Sequence, residues 1–257
     1  MTIDIGDALD WLGHEIDCGA CPHRSLKKVA GCEPSHACVH DRYARRIDRF
    51  FEQNPGLADG YIGHPYFEVR AIVARYANRF LLLRLINDAD ETVRWNAAQR
   101  LPRRYVLRLR NDPHRAVRIG VAALLDDDEL VPMLSDEDYY VRRVVAYRIA
   151  PWRLGSLMND EDTEVRRMVA RRIPYDWLMA MVNDPQASIR LEIARRLSPQ
   201  SLTTLRRDPD WRIRYEVASR IAADELADLV KDEDSMVQEV ARARLTVSSI
   251  SPQGWRA

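Results

Sequence analysis

Four cysteines near the start of the chain are the residues best suited to chemistry. They are Cys18, Cys21, Cys32 and Cys38, in the spacing C-x2-C-x10-C-x5-C, and no other cysteine occurs in the 257 residues. Thiolates bind metal ions and iron–sulfur clusters, and thiols also pair as disulfides. The acidic N-terminus has no basic region ahead of an apolar core, so we expect no secretory signal and a cytoplasmic location. In that compartment clustered cysteines more often bind a metal group than form disulfides.

The cysteine spacing by itself leaves two metal groups open. Structural zinc sites favour two tight pairs of ligands, and only the first two cysteines form a C-x-x-C pair. An iron–sulfur cluster is larger and accepts more irregular spacing, although this spacing differs from the usual ferredoxin run. Four nearby histidines are possible zinc ligands, but we interpret them as surface or packing residues: His14, His23, His36 and His40.

The composition excludes several functional classes. The chain has 39 basic and 39 acidic residues, which is not the basic excess of a typical nucleic-acid binder. No run of residues is long and apolar enough to span a membrane. We find no P-loop, no dinucleotide-binding glycine motif, no nucleophile elbow and no zinc-protease His-Glu pair, so we expect no enzymatic activity.

The rest of the chain is built from a repeat of 24 residues. A hydrophobic anchor recurs at this period, and an arginine follows it in all units but the last. The anchor pairs are Val69-Arg70, Val93-Arg94, Val117-Arg118, Val141-Arg142, Val165-Arg166, Ile189-Arg190, Ile213-Arg214 and Val237-Gln238. A fixed period of this length predicts stacked structural units with one continuous core.

Each repeat predicts a long helix followed by a short one. We interpret the aspartate five residues before the anchor as the N-cap of a long helix of about 13 residues. These aspartates are Asp88, Asp112, Asp136, Asp160, Asp184, Asp208 and Asp232. An alanine five residues after most anchors indicates close approach of another backbone. An apolar pair three residues apart, such as Leu82 and Leu85, then fits a turn or two of 3₁₀ or α geometry and does not fit a strand. The fold class predicted is therefore an all-α solenoid.

The arginine after the anchor lies inside the apolar arc of the long helix. A buried guanidinium needs a partner, and the capping aspartate of the adjacent repeat is the candidate. We therefore predict a ladder of arginine–aspartate pairs between repeats. The other interpretation is an arginine whose charged head reaches solvent.

The repeat D-x-x-x-x-V-R-x-x-V-A-x-R-L-P-x-x-x-L-x-x-L, over roughly residues 64–245, resembles that of the bacterial leucine-rich repeat variant (LRV) family. The resemblance implies α and 3₁₀ helices alternating in a right-handed superhelix, and an N-terminal four-cysteine module carrying a [4Fe–4S] cluster. It therefore implies that the four cysteines are the cluster ligands. We divide the chain into a cysteine-rich cap at 1–63, eight repeats at 64–246 and a tail at 247–257. Residues 39–51 read as a helix that joins cap to repeats.

The leading hypothesis for function is a non-enzymatic scaffold: a metal-capped solenoid that binds a protein partner. Helical solenoids present extended binding surfaces, and aromatic and arginine side chains are common at interface hot spots. Candidates at variable helix positions are Trp95, Arg143, Tyr147, Arg167, Arg171, Arg195 and Tyr215. One alternative is one-electron transfer or redox or oxygen sensing through the cluster. A second is a nucleic-acid-binding helical repeat, which the balanced charge argues against.

Overall fold

The computed structural model describes residues 8–250, with side chains described through residue 247. The chain divides between Leu125 and Asp126 into two compact units. The described residues are helical apart from loops and two isolated β-bridges, Leu9–Glu15 and Glu33–Ala37. Among these described helices none is long and apolar enough to cross a membrane.

The α-helices follow the repeat. They are α1 (Ala44–Gln53), α2 (Phe67–Tyr76), α3 (Glu91–Ala98), α4 (Arg103–Val106), α5 (Arg115–Leu124), α6 (Asp127–Leu130), α7 (Tyr139–Arg148), α8 (Thr163–Arg172), α9 (Ala187–Arg196), α10 (Pro199–Leu202), α11 (Trp211–Arg220) and α12 (Ser235–Ile250). Between them lie the 3₁₀ segments Arg24–Val29, Pro55–Tyr61, Leu81–Arg84, Leu107–Asn111, Val131–Ser135, Pro151–Leu157, Tyr175–Met181, Thr203–Leu205, Ala223–Glu225 and Leu229–Lys231.

The alternation of long and short helices confirms the predicted unit. Most long helices have ten residues, fewer than the 13 predicted, and each short element is a 3₁₀ segment or an α-turn followed by one. The joining helix predicted at 39–51 begins later, at Ala44, because the Asp41 carboxylate accepts the Tyr43 N–H and a bond from the Arg46 side chain. Helix α12 runs to Ile250, so most of the predicted tail, residues 251–257, lies outside the described residues.

Each unit buries its anchors in a continuous core. In the first unit α1, α2, α3 and α5 pack in chain order, and in the second α7, α8, α9, α11 and α12 do the same. The anchors Val69, Val141 and Ile213 are fully buried. The alanines five residues later are also buried, from Ala74 to Ala218, so these helices meet along small side chains.

The predicted helix caps are wrong by two residues. The long helices are capped three residues before the anchor, where Asp90, Asp138 and Asp162 each accept two N–H bonds from the first turn. The aspartates predicted as caps close a turn instead. Each of Asp88, Asp112, Asp136, Asp160, Asp184, Asp208 and Asp232 accepts the N–H two residues further on, at 2.8–3.0 Å.

The arginine–aspartate ladder is confirmed within both units. The side chain of each ladder arginine donates through Nε and Nη2 to the two oxygens of the aspartate 18 residues later. The pairs are Arg70–Asp88, Arg94–Asp112, Arg142–Asp160, Arg166–Asp184, Arg190–Asp208 and Arg214–Asp232. In Arg94, for example, the remaining Nη1 donates to the carbonyls of Asp88 and Ala89. Each buried guanidinium is thereby hydrogen-bonded in a fixed geometry.

A second row of arginines, not predicted from the sequence, joins consecutive repeats. It occupies the position seven residues after the anchor and bonds to main-chain carbonyls at the end of the preceding long helix. Arg196, for example, donates to the carbonyls of Ala170 and Ile173, both at 2.6 Å. The same bonds are made by Arg172, Arg220 and Arg244. The carbonyls left unpaired at each helix end are satisfied in this way.

Candidate metal centre and partner surface

The cysteine segment folds as a series of turns that bring its four thiols back toward one another. The Asp17 carboxylate accepts the N–H groups of Gly19 and Ala20 and so shapes the turn between the first two cysteines. The 3₁₀ segment Arg24–Val29 ends in a left-handed residue, Ala30 (φ 56°), and the chain reverses there. The bridge Glu33–Ala37 forms a second reversal that sets Cys38 close to Cys32 in space.

The four thiols share one electrostatic environment. Burial raises the pKa of Cys32, and the neighbouring Cys21 and Cys18 raise it further. Burial also raises the pKa of Cys38 to about 12, with added effects from Cys32 and Cys21. All four cysteines are free of disulfides; Cys32 and Cys38 are buried, whereas Cys18 and Cys21 are half-buried. Because the pKa values of Cys32 and Cys38 are raised, a bound cation would be needed to stabilise their thiolates.

The donor set fits an iron–sulfur group. Cys32 is influenced electrostatically by Cys18 and Cys21, and Cys38 by Cys32 and Cys21. The His23 main-chain N–H donates to Cys21 Sγ, with 3.4 Å between nitrogen and sulfur. N–H groups directed at cysteine sulfurs are among the features that tune iron–sulfur clusters. Across residues 8–250, no three His, Cys, Asp or Glu side chains converge as they would around a single metal ion.

Three of the four nearby histidines contact other side chains of the same molecule. The His23 ring nitrogen Nε2 lies 2.5 Å from the Tyr61 hydroxyl, the His36 ring lies 3.2 Å from Arg49 Nη1, and His14 lies near Asp10. His40 is half-buried, and burial lowers its pKa. These contacts support the interpretation of the histidines as packing and surface residues.

An aromatic cluster connects the cysteine segment to the repeats. We call Phe50, Phe51, Tyr61 and Tyr76 the aromatic collar. The Phe51 ring contacts the other three, at centroid distances of 5.2 Å to Phe50, 5.5 Å to Tyr61 and 6.3 Å to Tyr76. His23 packs on Phe50, and burial raises the pKa of Tyr61 to about 12. Tyr76 lies on α2, so the collar couples the order of the cap to that of the first repeat.

A cavity of about 260 Å³ opens beside the cysteines. It is lined by Trp11, Cys21 and His40 together with the acidic residues Asp10, Glu15 and Asp17. Two of these carboxylates already accept main-chain N–H bonds, Asp10 from Leu12 and His14, and Asp17 from Gly19. Of the four cysteines, only Cys21 is among its lining residues.

Six of the seven candidate partner residues lie on neighbouring helices of the second unit. Tyr147 is 66% exposed, Tyr215 is 37% exposed and Arg195 is exposed. The other three are partly engaged: Arg143 lies over the Tyr140 ring, Arg167 bonds to Glu164 and Ser188, and Arg171 bonds to Glu192 at 2.7 Å. We call these six residues the helix face.

The seventh candidate, Trp95, lies in the first unit and is used in packing. Its indole ring covers Gly120 of the neighbouring α5, where an added Cβ would come within 2.5 Å of the ring. Trp95 is half-buried by this contact. A glycine in the long helix of the next repeat, one position after the equivalent of Trp95, is the sequence feature that would have identified this contact.

Comparison with known proteins matches both parts of the chain. A family model described as "LRV protein FeS4 cluster" matches residues 8–60. An uncharacterized 27.7 kDa protein in the nifB 3′ region of Rhodobacter capsulatus is 49% identical over 96 residues, which is 37% of this chain. The chain spans only 39% of that relative's length in this match.

A solved structure matches nearly the whole fold. It is described as a leucine-rich repeat variant with a novel repetitive protein structural motif, and it superposes with a TM-score of 0.84 at 41% sequence identity. The match covers 89% of this chain and 98% of that protein. The cysteine module and the repeats together therefore make this an iron–sulfur helical repeat protein. The chain belongs to the leucine-rich repeat variant family.

Proposed function

We propose that this protein is a non-enzymatic scaffold with a [4Fe–4S] cluster in its cap and a protein-binding surface on its repeats. The residues that would hold the cluster are Cys18, Cys21, Cys32 and Cys38. When bound, the cluster supplies four metal–thiolate bonds that tie together a segment with little core of its own. The chain's contribution is to hold the four cysteines in one short segment of turns and to direct an N–H group at Cys21.

The use of charged residues in the repeats supports a scaffold. The ladder arginines and aspartates bond to each other, and the second arginine row bonds to main-chain carbonyls. These groups hold the repeats together and need no catalytic role to explain them. The positions that vary between repeats are then the ones available for recognition.

The single observation that carries the proposal is the exposure of Tyr147 within the helix face. Its side chain is 66% exposed, and arginines from α8 and α9 occupy the equivalent positions of the next repeats: Arg171 and Arg195. Exposed aromatic and arginine side chains on adjacent rigid helices are typical of interface hot spots. Nothing in the described packing requires a tyrosine there.

The experiment is site-specific photo-crosslinking in the source cell. A benzophenone amino acid replaces Tyr147 or Tyr215, and the matched control replaces the exposed Gln200 on α10 of the same unit. We expect one defined protein to crosslink from both tyrosine positions and not from the control. The purified partner should then bind Tyr147→Ala roughly tenfold or more weakly, the range expected of a hot spot. Absence of a crosslinked protein from both positions refutes the helix face as a partner surface.

A redox role is the second candidate, and the cavity beside Cys21 favours it. Cys21 is half-buried and lines this cavity, so a cluster held there would be approachable by an electron donor or acceptor from that side. A reversible cluster potential, with partner affinity that differs between the oxidised and reduced protein, would support this role. Equal affinity in both states would leave the cluster as a structural element of the scaffold.

A further inference from the structure

The turn that carries Cys21 directs a main-chain N–H at the cysteine sulfur. The Arg24 N–H donates to the Cys21 carbonyl at 3.1 Å, Pro22 takes the second position, and His23 in the third position has φ −97° and ψ 13°. These are the features of a type I turn, which favours proline in its second position. Within the turn the His23 N–H donates to Cys21 Sγ, with 3.4 Å between nitrogen and sulfur. The direction of this N–H therefore depends on how His23 is held.

The His23 ring is held by residues that come much later in the chain. Its Nε2 lies 2.5 Å from the hydroxyl of Tyr61, 38 residues away. Its ring centroid lies 5.5 Å from that of Phe50, which is fully buried, and 5.7 Å from that of Tyr61. The turn is thereby tied to the aromatic collar through one side chain, and Tyr61 supplies the polar contact.

The cysteines also act on the Tyr61 hydroxyl. Burial, followed by the neighbouring Cys21, Cys38 and Cys32, raises the pKa of Tyr61 to about 12. Burial lowers the pKa of His23. Both side chains are therefore neutral at pH 7, and the hydrogen bond that joins them carries no charge. Three of the four cysteines thus lie within electrostatic range of the hydroxyl that holds the His23 ring.

Packing alone does not explain a tyrosine at position 61. The Tyr61 ring meets the Phe51 ring edge to face at 5.5 Å, a contact that phenylalanine would also make. Burying a hydroxyl is unfavourable unless it has a hydrogen-bond partner, and here the partner is the His23 ring. What the tyrosine adds over phenylalanine is therefore the bond to His23.

An N–H donor at a cysteine sulfur favours the reduced state of an iron–sulfur cluster. Reduction adds negative charge to the cluster and its sulfur ligands, and an N–H directed at one of these sulfurs stabilises that charge. Hydrogen bonds to the sulfurs are among the features that set cluster potentials. Residues that orient the surroundings of a metal site change its properties without touching the metal. A residue that keeps His23 in place would therefore keep the potential higher.

We propose that Tyr61 is a positioning residue for the cluster: its hydroxyl holds the His23 ring, and the held ring keeps the His23 N–H directed at Cys21 Sγ, which raises the reduction potential. The inference rests on the proposed cluster and extends it to the repeats. Tyr61 contacts Phe51, and Phe51 contacts Tyr76 of α2, so packing in the first repeat supports the same contact.

The test is the midpoint potential of the full-length protein, purified anaerobically and titrated with redox dyes at pH 7. Tyr61→Phe removes the hydroxyl and keeps the ring. We expect its one-electron reduction equilibrium to shift roughly three- to tenfold toward the oxidised state, the effect of weakening one hydrogen bond to a charged group; tenfold corresponds to about 59 mV. The matched control is Tyr76→Phe, which removes another collar hydroxyl, bonded to Asp48 Oδ1 at 2.8 Å, and should leave the potential unchanged.

A double-mutant cycle tests the route through His23. His23→Ala removes the ring and keeps the main-chain N–H, so it should lower the potential as Tyr61→Phe does. In the His23→Ala background, Tyr61→Phe should have no further effect. A hydroxyl that acted on the cluster directly would instead shift the potential equally in both backgrounds. If Tyr61→Phe is isolated without its cluster, the potential of His23→Ala decides the test.

Three results would overturn the inference. They are an unchanged potential in Tyr61→Phe (or in His23→Ala, where it replaces that variant), an equal shift in Tyr76→Phe, and additive shifts in the double variant. Failure here is distinguishable from failure of the proposed cluster. Zinc without sulfide in the unmodified protein would refute both, whereas an unchanged potential in a variant with its full iron and sulfide would refute only the role of Tyr61.

Discussion

Removal of one member of a ladder pair should destabilise the protein strongly. Asp208 accepts bonds from Arg190 Nε at 2.7 Å and Nη2 at 2.9 Å, and it also accepts the Asp210 N–H at 2.8 Å. The Asp208 side chain is only 2% exposed and the Arg190 side chain 11%. Asp208→Ala therefore leaves a largely buried guanidinium without its ion-pair partner and one main-chain N–H without its acceptor.

The expected cost follows from this burial. Breaking a buried ion pair by removing one partner costs about 3–5 kcal/mol, because the remaining charge stays desolvated. An exposed pair such as Arg171–Glu192, whose arginine side chain is 52% exposed, should contribute only about 0–1 kcal/mol. The double variant Arg190→Met/Asp208→Leu removes both charges, so it should be far less destabilised than Asp208→Ala.

The assay is urea unfolding at pH 7, monitored by far-UV circular dichroism. It compares the unmodified protein with Asp208→Ala, with Arg190→Met/Asp208→Leu and with Glu192→Gln. Repeat proteins can unfold in stages, so coincident transitions by tryptophan fluorescence are required before free energies are compared. The reasoning is refuted if Asp208→Ala costs less than about 1 kcal/mol, the scale of an exposed pair. It is also refuted if the double variant Arg190→Met/Asp208→Leu is less stable than Asp208→Ala.

Three further predictions concern pH and repeat contacts. The side chain of Arg214 donates to Asp232 and lowers the pKa of the Asp232 carboxylate. This carboxylate therefore stabilises the folded state above the unfolded-state pKa of about 4, and the stabilisation is lost as the pH falls through the lower folded-state pKa. The urea concentration at the midpoint of unfolding should decrease as the pH is lowered from about 5 to about 2. Arg196→Met should cost about 1–3 kcal/mol because two helix-end carbonyls lose their donor, whereas exposed Arg195→Met should be near neutral in the same urea assay. Gly120→Ala should lower the melting temperature, because its Cβ would meet the Trp95 ring at 2.5 Å, and Trp95→Leu in the same chain should restore part of the loss.

The sequence predicted the repeat architecture and the ladder for identifiable reasons. A period of 24 residues fixes which positions are equivalent, and an arginine inside an apolar arc requires a partner. The cap positions were wrong because acids stand both five and three residues before many anchors, as at Asp136 and Asp138. Only the backbone geometry shows that the first accepts the N–H of the second and that the second caps the helix.

Other features depend on contacts that a single sequence does not display. The second arginine row bonds to main-chain carbonyls, which have no residue signature, so the sequence does not indicate the role of Arg172 and Arg196. The packing of Trp95 depends on a glycine one repeat later. The cysteines were recognised as one group because they are adjacent in sequence, but the spacing alone left zinc and a cluster open, and the family match identified the iron–sulfur class.

The most direct test of the account is metal analysis of the protein purified under anaerobic conditions, with iron, acid-labile sulfide and zinc measured together with the absorption spectrum. The account predicts about four irons and about four sulfides per chain, with a broad visible band that bleaches on reduction. The variant Cys38→Ala should lose both the metal and the band. About one zinc per chain with no sulfide would contradict the cluster and leave a zinc-capped solenoid.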